Sequence, residues 1–235
     1  MKFAVVTFPG SNCDHDMVHV LRDVTGNEVI EVWHGDTSLP DLTLEDCVVL
    51  PGGFSYGDYV RAGAIAKLSP IMSAVSEHAA KGGLVWGICN GFQILCEAHL
   101  LPGALVRNSQ QKFIGKDIYL RVETTNSEIT GQYDKGQVLR IPVAHAEGRY
   151  IAQKETIRQL ESNDQILFRY CDVDGELTEE ANVNGSTGHI AGICNEKRNV
   201  YGMMPHPERA SEDALGNTDG LNMFLSMIKR ETATV

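Results

Sequence analysis

Gly83-Leu84-Val85-Trp86-Gly87-Ile88-Cys89-Asn90-Gly91-Phe92-Gln93-Ile94-Leu95 is the stretch on which the fold turns. The apolar run Leu84 to Ile88 stops at a cysteine with a glycine two residues to either side. Phe92, Leu95 and Cys96 then recur at helical spacing. Strand, tight turn and helix are expected in that order. Gly87-x-Cys89-x-Gly91 is the thiol counterpart of the Gly-x-Ser-x-Gly elbow, in which the nucleophile sits on a strained turn and the flanking glycines let strand and helix approach. On this reading the sulfur is exposed at the end of a sheet, and the positive end of the following helix favours thiolate over thiol. The same short string equally describes a buried cysteine packed as a small hydrophobe. The chemistry therefore has to be argued from the rest of the chain.

Upstream, Lys2 to Phe8 reads as a first strand ending in Pro9-Gly10-Ser11-Asn12-Cys13-Asp14, a loop rich in turn residues. Met17, Val20, Leu21 and Val24 follow at helical spacing until Gly26. Glu28 to Trp33 is a second strand, and Cys47-Val48-Val49-Leu50 a third that runs into Pro51-Gly52-Gly53-Phe54-Ser55-Tyr56-Gly57-Asp58. Ser69-Pro70 predicts a helix start, with serine as cap and proline first, carrying Ile71, Met72, Val75 and Ala79 on one face until Lys81-Gly82-Gly83. This alternation is the rhythm of a parallel sheet with right-handed crossovers. Such sheets bind ligands outside the carboxyl ends of their strands, where Pro51-Gly52-Gly53 and Cys89 both fall.

Downstream of Leu100-Leu101-Pro102-Gly103 the pattern changes to short β-like runs, at about Lys116 to Thr124, Val138 to Ala144, Gln165 to Tyr170, His189 to Cys194 and Val200 to Met204. Asn195 to Asn199 reads as a hairpin turn, and this half as antiparallel or mixed. Leu221 to Lys229 reads as a last helix. No repeat or linker divides the chain, so residues 1–235 are expected to form one domain: a flavodoxin-like α/β fold, with an open, mostly parallel sheet flanked by helices and extra antiparallel strands in the C-terminal half.

Composition narrows the function. A formal net charge of -11 argues against a general nucleic-acid surface, which needs clustered Lys and Arg. No apolar run approaches the ~20 residues needed to cross a bilayer. The N-terminus reads as a strand rather than a signal peptide, so the six scattered cysteines are expected as reduced thiols in a cytoplasm. They include no Cys-x-x-Cys pair, and no metal site is expected.

A cysteine nucleophile needs a base and a group that orients the base. Met203-Met204-Pro205-His206-Pro207-Glu208 follows an expected strand, and each proline keeps the residue before it extended. Residues two apart in an extended segment share a side, so His206 and Glu208 are expected to face one cleft, the carboxylate orienting the imidazole. Backbone N–H groups of Gly53 and Asn90 are the candidates for an oxyanion hole. Alone, His-Pro-Glu is also a surface turn and Pro-Gly-Gly an ordinary one.

Pro51-Gly52-Gly53-Phe54, Gly87-Ile88-Cys89-Asn90-Gly91-Phe92-Gln93 and Pro205-His206-Pro207-Glu208 together resemble the class I glutamine amidotransferase family. Pro9 to Asp14, Phe54 to Asp58, Arg61-Ala62-Gly63, Ala144 to Tyr150 and Gly216 to Gly220 bring the resemblance closest to the purine-pathway branch, in which the glutaminase is a chain of its own. The resemblance implies Cys89 as nucleophile, His206 as base and acid, and Glu208 as the orienting carboxylate. It further implies that Gln93, Asn108 (with Arg107), His145 and Arg149 border the glutamine pocket or a partner interface. L-glutamine would be the substrate, and the partners a large synthetase subunit that uses ATP and magnesium and a small assembly subunit. This chain has no phosphate-binding loop of its own and is expected to carry no cofactor. Ala146 departs from the family string, where glycine is expected, and Cys13 is expected to be structural unless its loop reaches the cleft. Two rival readings remain compatible with the residues: a cysteine hydrolase such as a γ-glutamyl peptidase, and a non-catalytic subunit that senses a ligand.

Overall fold

The computed structural model describes residues 1–228. The first half contains β1 (Lys2–Thr7), α1 (Asp14–His19) continued by one wide π-type turn (Val20–Val24), β2 (Glu28–Trp33), β3 (Cys47–Leu50), α2 (Ile71–Ala80), β4 (Leu84–Ile88) and α3 (Asn90–Glu97). The second contains β5 (Ala104–Val106), β6 (Ile114–Val122), β7 (Val138–His145), β8 (Arg149–Ile151), α4 (Lys154–Ser162), β9 (Ile166–Cys171), β10 (Ile190–Cys194), β11 (Val200–Met203) and α5 (Leu221–Ile228). Lys229, which the sequence reading included in the last helix, lies outside the described residues.

Nine strands form one sheet in the order β2-β1-β3-β4-β11-β10-β9-β6-β7. The five from β2 to β11 are parallel to their neighbours, with Leu50 opposite Gly87, Val85 opposite Val200 and Ile88 opposite Met203. From β11 outward every pairing is antiparallel. The parallel part has the flavodoxin-like order, with β11 in the place of a fifth strand.

Sequence and burial agree on why the two parts differ. Every residue of β3 and β4 is buried, as strands covered by helices on both faces must be, which is why they read as unbroken apolar runs. In β6 and β7 buried positions alternate with open ones, the mark of an antiparallel sheet with one wet face. Trp86 of β4 is fully buried, with its ring 5.1 Å from that of Phe224 in α5, and Phe92 of α3 stacks on Tyr150 of β8 at 6.0 Å.

Three features depart from the sequence reading. Ser69 does not cap α2: its hydroxyl lies 3.0 Å from that of Tyr56, and the helix starts at Ile71 behind Pro70. α4 falls between the expected β-like runs and is not anticipated, because only Ile157 and Leu160 are apolar in it and only Leu160 is fully buried. β5 and β8 pair as a separate two-stranded sheet of three residues each, too short to carry a periodic signal. Among the described residues no helix is long and apolar enough to cross a membrane.

Candidate active site

Three loops at the carboxyl ends of β3, β4 and β11 meet at one point. β4 ends in Cys89, whose φ of 51° and ψ of −103° lie where residues with a side chain seldom go. Its N–H bonds Met203 O of β11 at 2.7 Å, and its carbonyl accepts from Gln93 N at 3.1 Å, so the strained residue is tied to the strand on one side and the helix on the other. The turn needs both flanking glycines. A Cβ on Gly91 would overlap the Leu50 carbonyl oxygen, and one on Gly87 would stand 2.6 Å from the Gly91 carbonyl carbon.

His206 comes from the loop after β11. Its φ is −104° and ψ 87°, and its backbone N–H bonds Pro142 O of β7 at 2.9 Å. Its ring Nδ1 lies 2.6 Å from Glu208 Oε1. The pairing expected from the sequence is present, but its geometric reason differs. Residues 207–209 form a single 3-10 turn that folds the carboxylate back beneath the ring, instead of an extended segment presenting both on one side.

Gly52, at the end of β3, is the floor on which these groups converge. A Cβ there would be 2.7 Å from His206 Cε1, 3.3 Å from Cys13 Sγ and 3.4 Å from Cys89 Cβ. Cys89 and His206 thus share one cradle. Cys13, expected to be structural, is in it too: its sulfur, a His206 ring nitrogen and a Glu208 oxygen lie within 4.8 Å of one another. Arg209 donates from Nη2 to Cys13 Sγ at 3.1 Å and from Nε to Asp16 at 3.0 Å.

The electrostatics follow from this crowding. Burial works against charge on His206, but Glu208, Cys89 and Cys13 together raise its pKa well above the ordinary 6.5, so the ring is held as imidazolium. Both sulfurs lie close enough to the ring to favour its charged form.

The oxyanion-hole candidates are available. Asn90 opens α3, where first-turn N–H groups have no carbonyl of their own helix to bond. In the bridge between Ser11 and Gly53 the bond runs from Phe54 N to Gly10 O at 3.2 Å, leaving the Gly53 N–H out of that pairing.

The sulfur is not exposed, contrary to the elbow expectation. Cys89 is 4% accessible and His206 1%, because β7 covers the elbow from the far side, with Ala144 O 3.8 Å from Cys89 Sγ. The other sequence candidates line that cover. His145 is buried, its Nδ1 3.1 Å from Asn108 Oδ1 and its Nε2 without a hydrogen-bond partner among the described residues, and burial together with the charge of His206 lowers its pKa to about 4. Asn108 donates to Lys112 O and His145 O and accepts from Gly148 N, all at 2.9 Å, so both of its amide protons are used within the chain. Gln93 braces the cover, accepting from Asn90 Nδ2 at 2.9 Å and donating to Glu147 O at 2.7 Å. Arg149 donates to Gly185 O at 3.0 Å, and Arg107 reaches Glu147 at 3.6 Å. Ala146 is accommodated, since its backbone lies outside the left-handed region that would demand glycine.

The sequence reading assigned no role to Asp58. It lies in a turn where Tyr56, Asp58 and Val60 all have positive φ, and it accepts from Asn90 Nδ2 at 3.2 Å. Burial and the charge of Glu147 raise its pKa to about 6 despite that bond. Cys13 and Arg209 were equally out of reach of spacing arguments. A cavity of about 530 Å³ lined by His99, Leu100, Gln159, Asn195 and Lys197 lies at the opposite end of the sheet and contains none of this chemistry.

Taken together, the geometry offers a sulfur nucleophile beside a charged imidazole, a carboxylate under that imidazole, and free N–H groups nearby, a set suited to acyl transfer. Comparison with known proteins points the same way. Residues 1–223 match the family described as the CobB/CobQ-like glutamine amidotransferase domain. Phosphoribosylformylglycinamidine synthase subunit PurQ of Bradyrhizobium diazoefficiens is 56% identical over 227 residues, 97% of either chain, and that of Koribacter versatilis is 56% identical over 228 residues at the same coverage. A chain in the structure of PurLQS from Thermotoga maritima superimposes with a TM-score of 0.85 at 42% identity, covering 98% of both chains. The chain belongs to the glutamine amidotransferase domain family and, within it, to the PurQ subunits of phosphoribosylformylglycinamidine synthase.

Proposed function

We propose that this chain is the glutaminase subunit of a phosphoribosylformylglycinamidine synthase, that residues 1–235 act as one glutamine amidotransferase domain in the cytoplasm, and that Cys89, His206 and Glu208 carry the reaction. The observation that carries the reading is the strained Cys89 sharing the Gly52 cradle with the His206–Glu208 pair.

In the proposed mechanism the Cys89 sulfur, its proton held by His206, attacks the side-chain carbonyl carbon of L-glutamine. The N–H groups of Gly53 and Asn90 receive the oxyanion. His206 gives its proton to the departing nitrogen, which leaves as ammonia and a γ-glutamyl thioester remains. The neutral imidazole then takes a proton from water, the resulting hydroxide attacks the thioester, and glutamate leaves with the sulfur and the charged ring restored. Glu208 keeps the imidazole in one tautomer throughout. Gln93, Asn108, His145 and Arg149 shape the glutamine pocket, Gln93 and Asn108 by bracing the 144–149 cover.

By the same reading the ammonia passes to a large synthetase subunit, which spends ATP with magnesium to convert formylglycinamide ribonucleotide to the amidine, in a complex completed by a small assembly subunit. The name PurLQS of the Thermotoga maritima structure supports a multi-subunit assembly. Burial of Cys89 and His206 supports a site that opens only when the cover formed by residues 144–149 moves. Low glutaminase activity is therefore expected of the isolated chain. The test is Cys89→Ala in the assembled complex: glutamine-dependent synthesis should vanish while added ammonia still supports it. Undiminished use of glutamine would overturn the assignment.

A further inference from the structure

The reaction above makes no use of Cys13, although its sulfur lies in the same buried cradle as the catalytic pair. We propose that Cys13 is a positioning residue for the glutaminase reaction: its sulfur is a second acceptor for the His206 ring and holds the imidazolium in place while Cys89 is acylated. The inference rests on the roles proposed above for Cys89 and His206.

Cys13 is held as a residue with a task would be. Its carbonyl accepts from Met17 N at 3.1 Å, which ties its backbone to the first turn of α1. Its sulfur donates to Asn12 Oδ1 at 3.4 Å and accepts from Arg209 Nη2 at 3.1 Å, and Arg209 is itself anchored through Nε to Asp16 at 3.0 Å. Arg209 belongs to the same 3-10 turn as Glu208, so the turn that places the carboxylate under the imidazole also fixes the sulfur beside it. So oriented, Cys13 Sγ, a His206 ring nitrogen and a Glu208 oxygen lie within 4.8 Å of one another. Cys13 Sγ and His206 Cε1 both abut the bare Gly52 floor, 3.3 and 2.7 Å from the position a Cβ would fill. Glu208 takes Nδ1, and hydrogen bonding of the ring to Cys89 and to Cys13 favours its charged form.

The two sulfurs are equivalent to the ring only until the first step. Once Cys89 carries the γ-glutamyl group its sulfur is uncharged and bonded to the acyl carbon, and an uncharged acceptor holds a cation less firmly than a thiolate does. Cys13 forms no covalent bond in the cycle and remains as the acceptor on that side of the imidazole. The sign of its effect follows from where the proton goes. Acylation consumes the charged ring, which gives its proton to the departing nitrogen. Deacylation regenerates it: the ring takes a proton from water, the hydroxide attacks the thioester carbon, and the C–S bond breaks to release glutamate and the thiolate. An acceptor that favours the charged ring therefore assists the second step and not the first.

The test uses the assembled complex and compares wild type with Cys13→Ala, Cys13→Val, Cys13→Ser and Cys89→Ala, all checked for folding by thermal melting. The complex is loaded with isotope-labelled glutamine and chased with an excess of unlabelled glutamine, and the lifetime of the label on the Cys89 peptide is read after acid quenching. Steady-state glutamate release supplies kcat/KM, which contains acylation and not deacylation. The label should persist about tenfold longer in the two apolar variants, the loss expected for one hydrogen bond to a charged group, while kcat/KM stays within about twofold of wild type. Cys13→Ser, which restores an acceptor, should recover part of the wild-type lifetime. A wild-type label lifetime in either folded apolar variant would overturn the proposal. So would a fall in kcat/KM as large as the gain in lifetime, the mark of a merely structural loss, or a serine variant no better than the apolar ones. Failure of the glutaminase reading itself looks different, since Cys89→Ala would then use glutamine normally and wild type would carry no label on Cys89.

Discussion

Gly52→Ala is the most economical perturbation of this centre, because it adds one methyl group and leaves every titratable side chain in place. The φ of Gly52 lies outside the left-handed range, so alanine brings no backbone strain and the effect is purely steric. The new Cβ would stand 2.7 Å from His206 Cε1, about 0.7 Å inside the 3.4 Å at which ordinary contact begins. The ring has little room to retreat, being buried, carried on a backbone whose N–H bonds Pro142 O, and held by Glu208 at 2.6 Å. Either the imidazole or the β3 loop must shift by most of that overlap. Misplacement of a reacting group by about 1 Å costs on the order of 100-fold in rate, and overpacking costs roughly 1–3 kcal/mol of stability. In the assembled complex, glutamine-dependent turnover should fall by tens of fold to about 100-fold, while ammonia-dependent turnover stays unchanged. Wild-type glutamine turnover in a folded Gly52→Ala protein would refute the convergence of the three loops on this residue.

Other perturbations test separate parts of the account. Glu208→Gln should lower glutamine turnover by roughly 10²–10⁴-fold, because the imidazole loses the charge that orients and protonates it. Its cost in stability should also depend on pH: the raised pKa of His206 stabilises the fold in full below about 6.5 and is lost as pH rises through the folded-state value, so the penalty, read from denaturation midpoints, shrinks toward alkaline pH. Asp58 has the opposite consequence for an acid, since a folded-state pKa of about 6 against an ordinary 3.8 means that its ionisation destabilises the fold as pH rises through that window. Asp58→Asn should therefore gain stability relative to wild type between about pH 4 and 6, and a constant difference across that range would contradict the assignment. Gly91→Ala forces a methyl group against the Leu50 carbonyl and should destabilise by about 1–3 kcal/mol or more in a chemical melt, whereas a neutral effect would mean the elbow is looser than described.

The centre of the parallel half was legible because β3 and β4 are buried throughout. Cys47 to Leu50 and Leu84 to Ile88 need no periodicity to be recognised. The elbow was legible because only glycine fits at 87 and 91. What the sequence hid were consequences of long-range pairing. β11 runs beside β4, and this brings His206 to Cys89, but no local pattern in Val200 to Met203 specifies that neighbour. Cys13 reaches the same cradle only because β1 and β3 are adjacent. The burial of Cys89 depends on β7 closing over it, and the raised pKa of Asp58 on Glu147, which arrives from a different loop. α4 was hidden for a simpler reason, with one fully buried side chain in nine residues.

The most direct measurement is mass spectrometry of the assembled complex, acid-quenched during turnover of isotope-labelled glutamine. A labelled γ-glutamyl group carried by the peptide that contains Cys89, and missing from Cys89→Ala, is the result expected. Label on any other residue, or turnover of glutamine with no acyl group on Cys89, would contradict it.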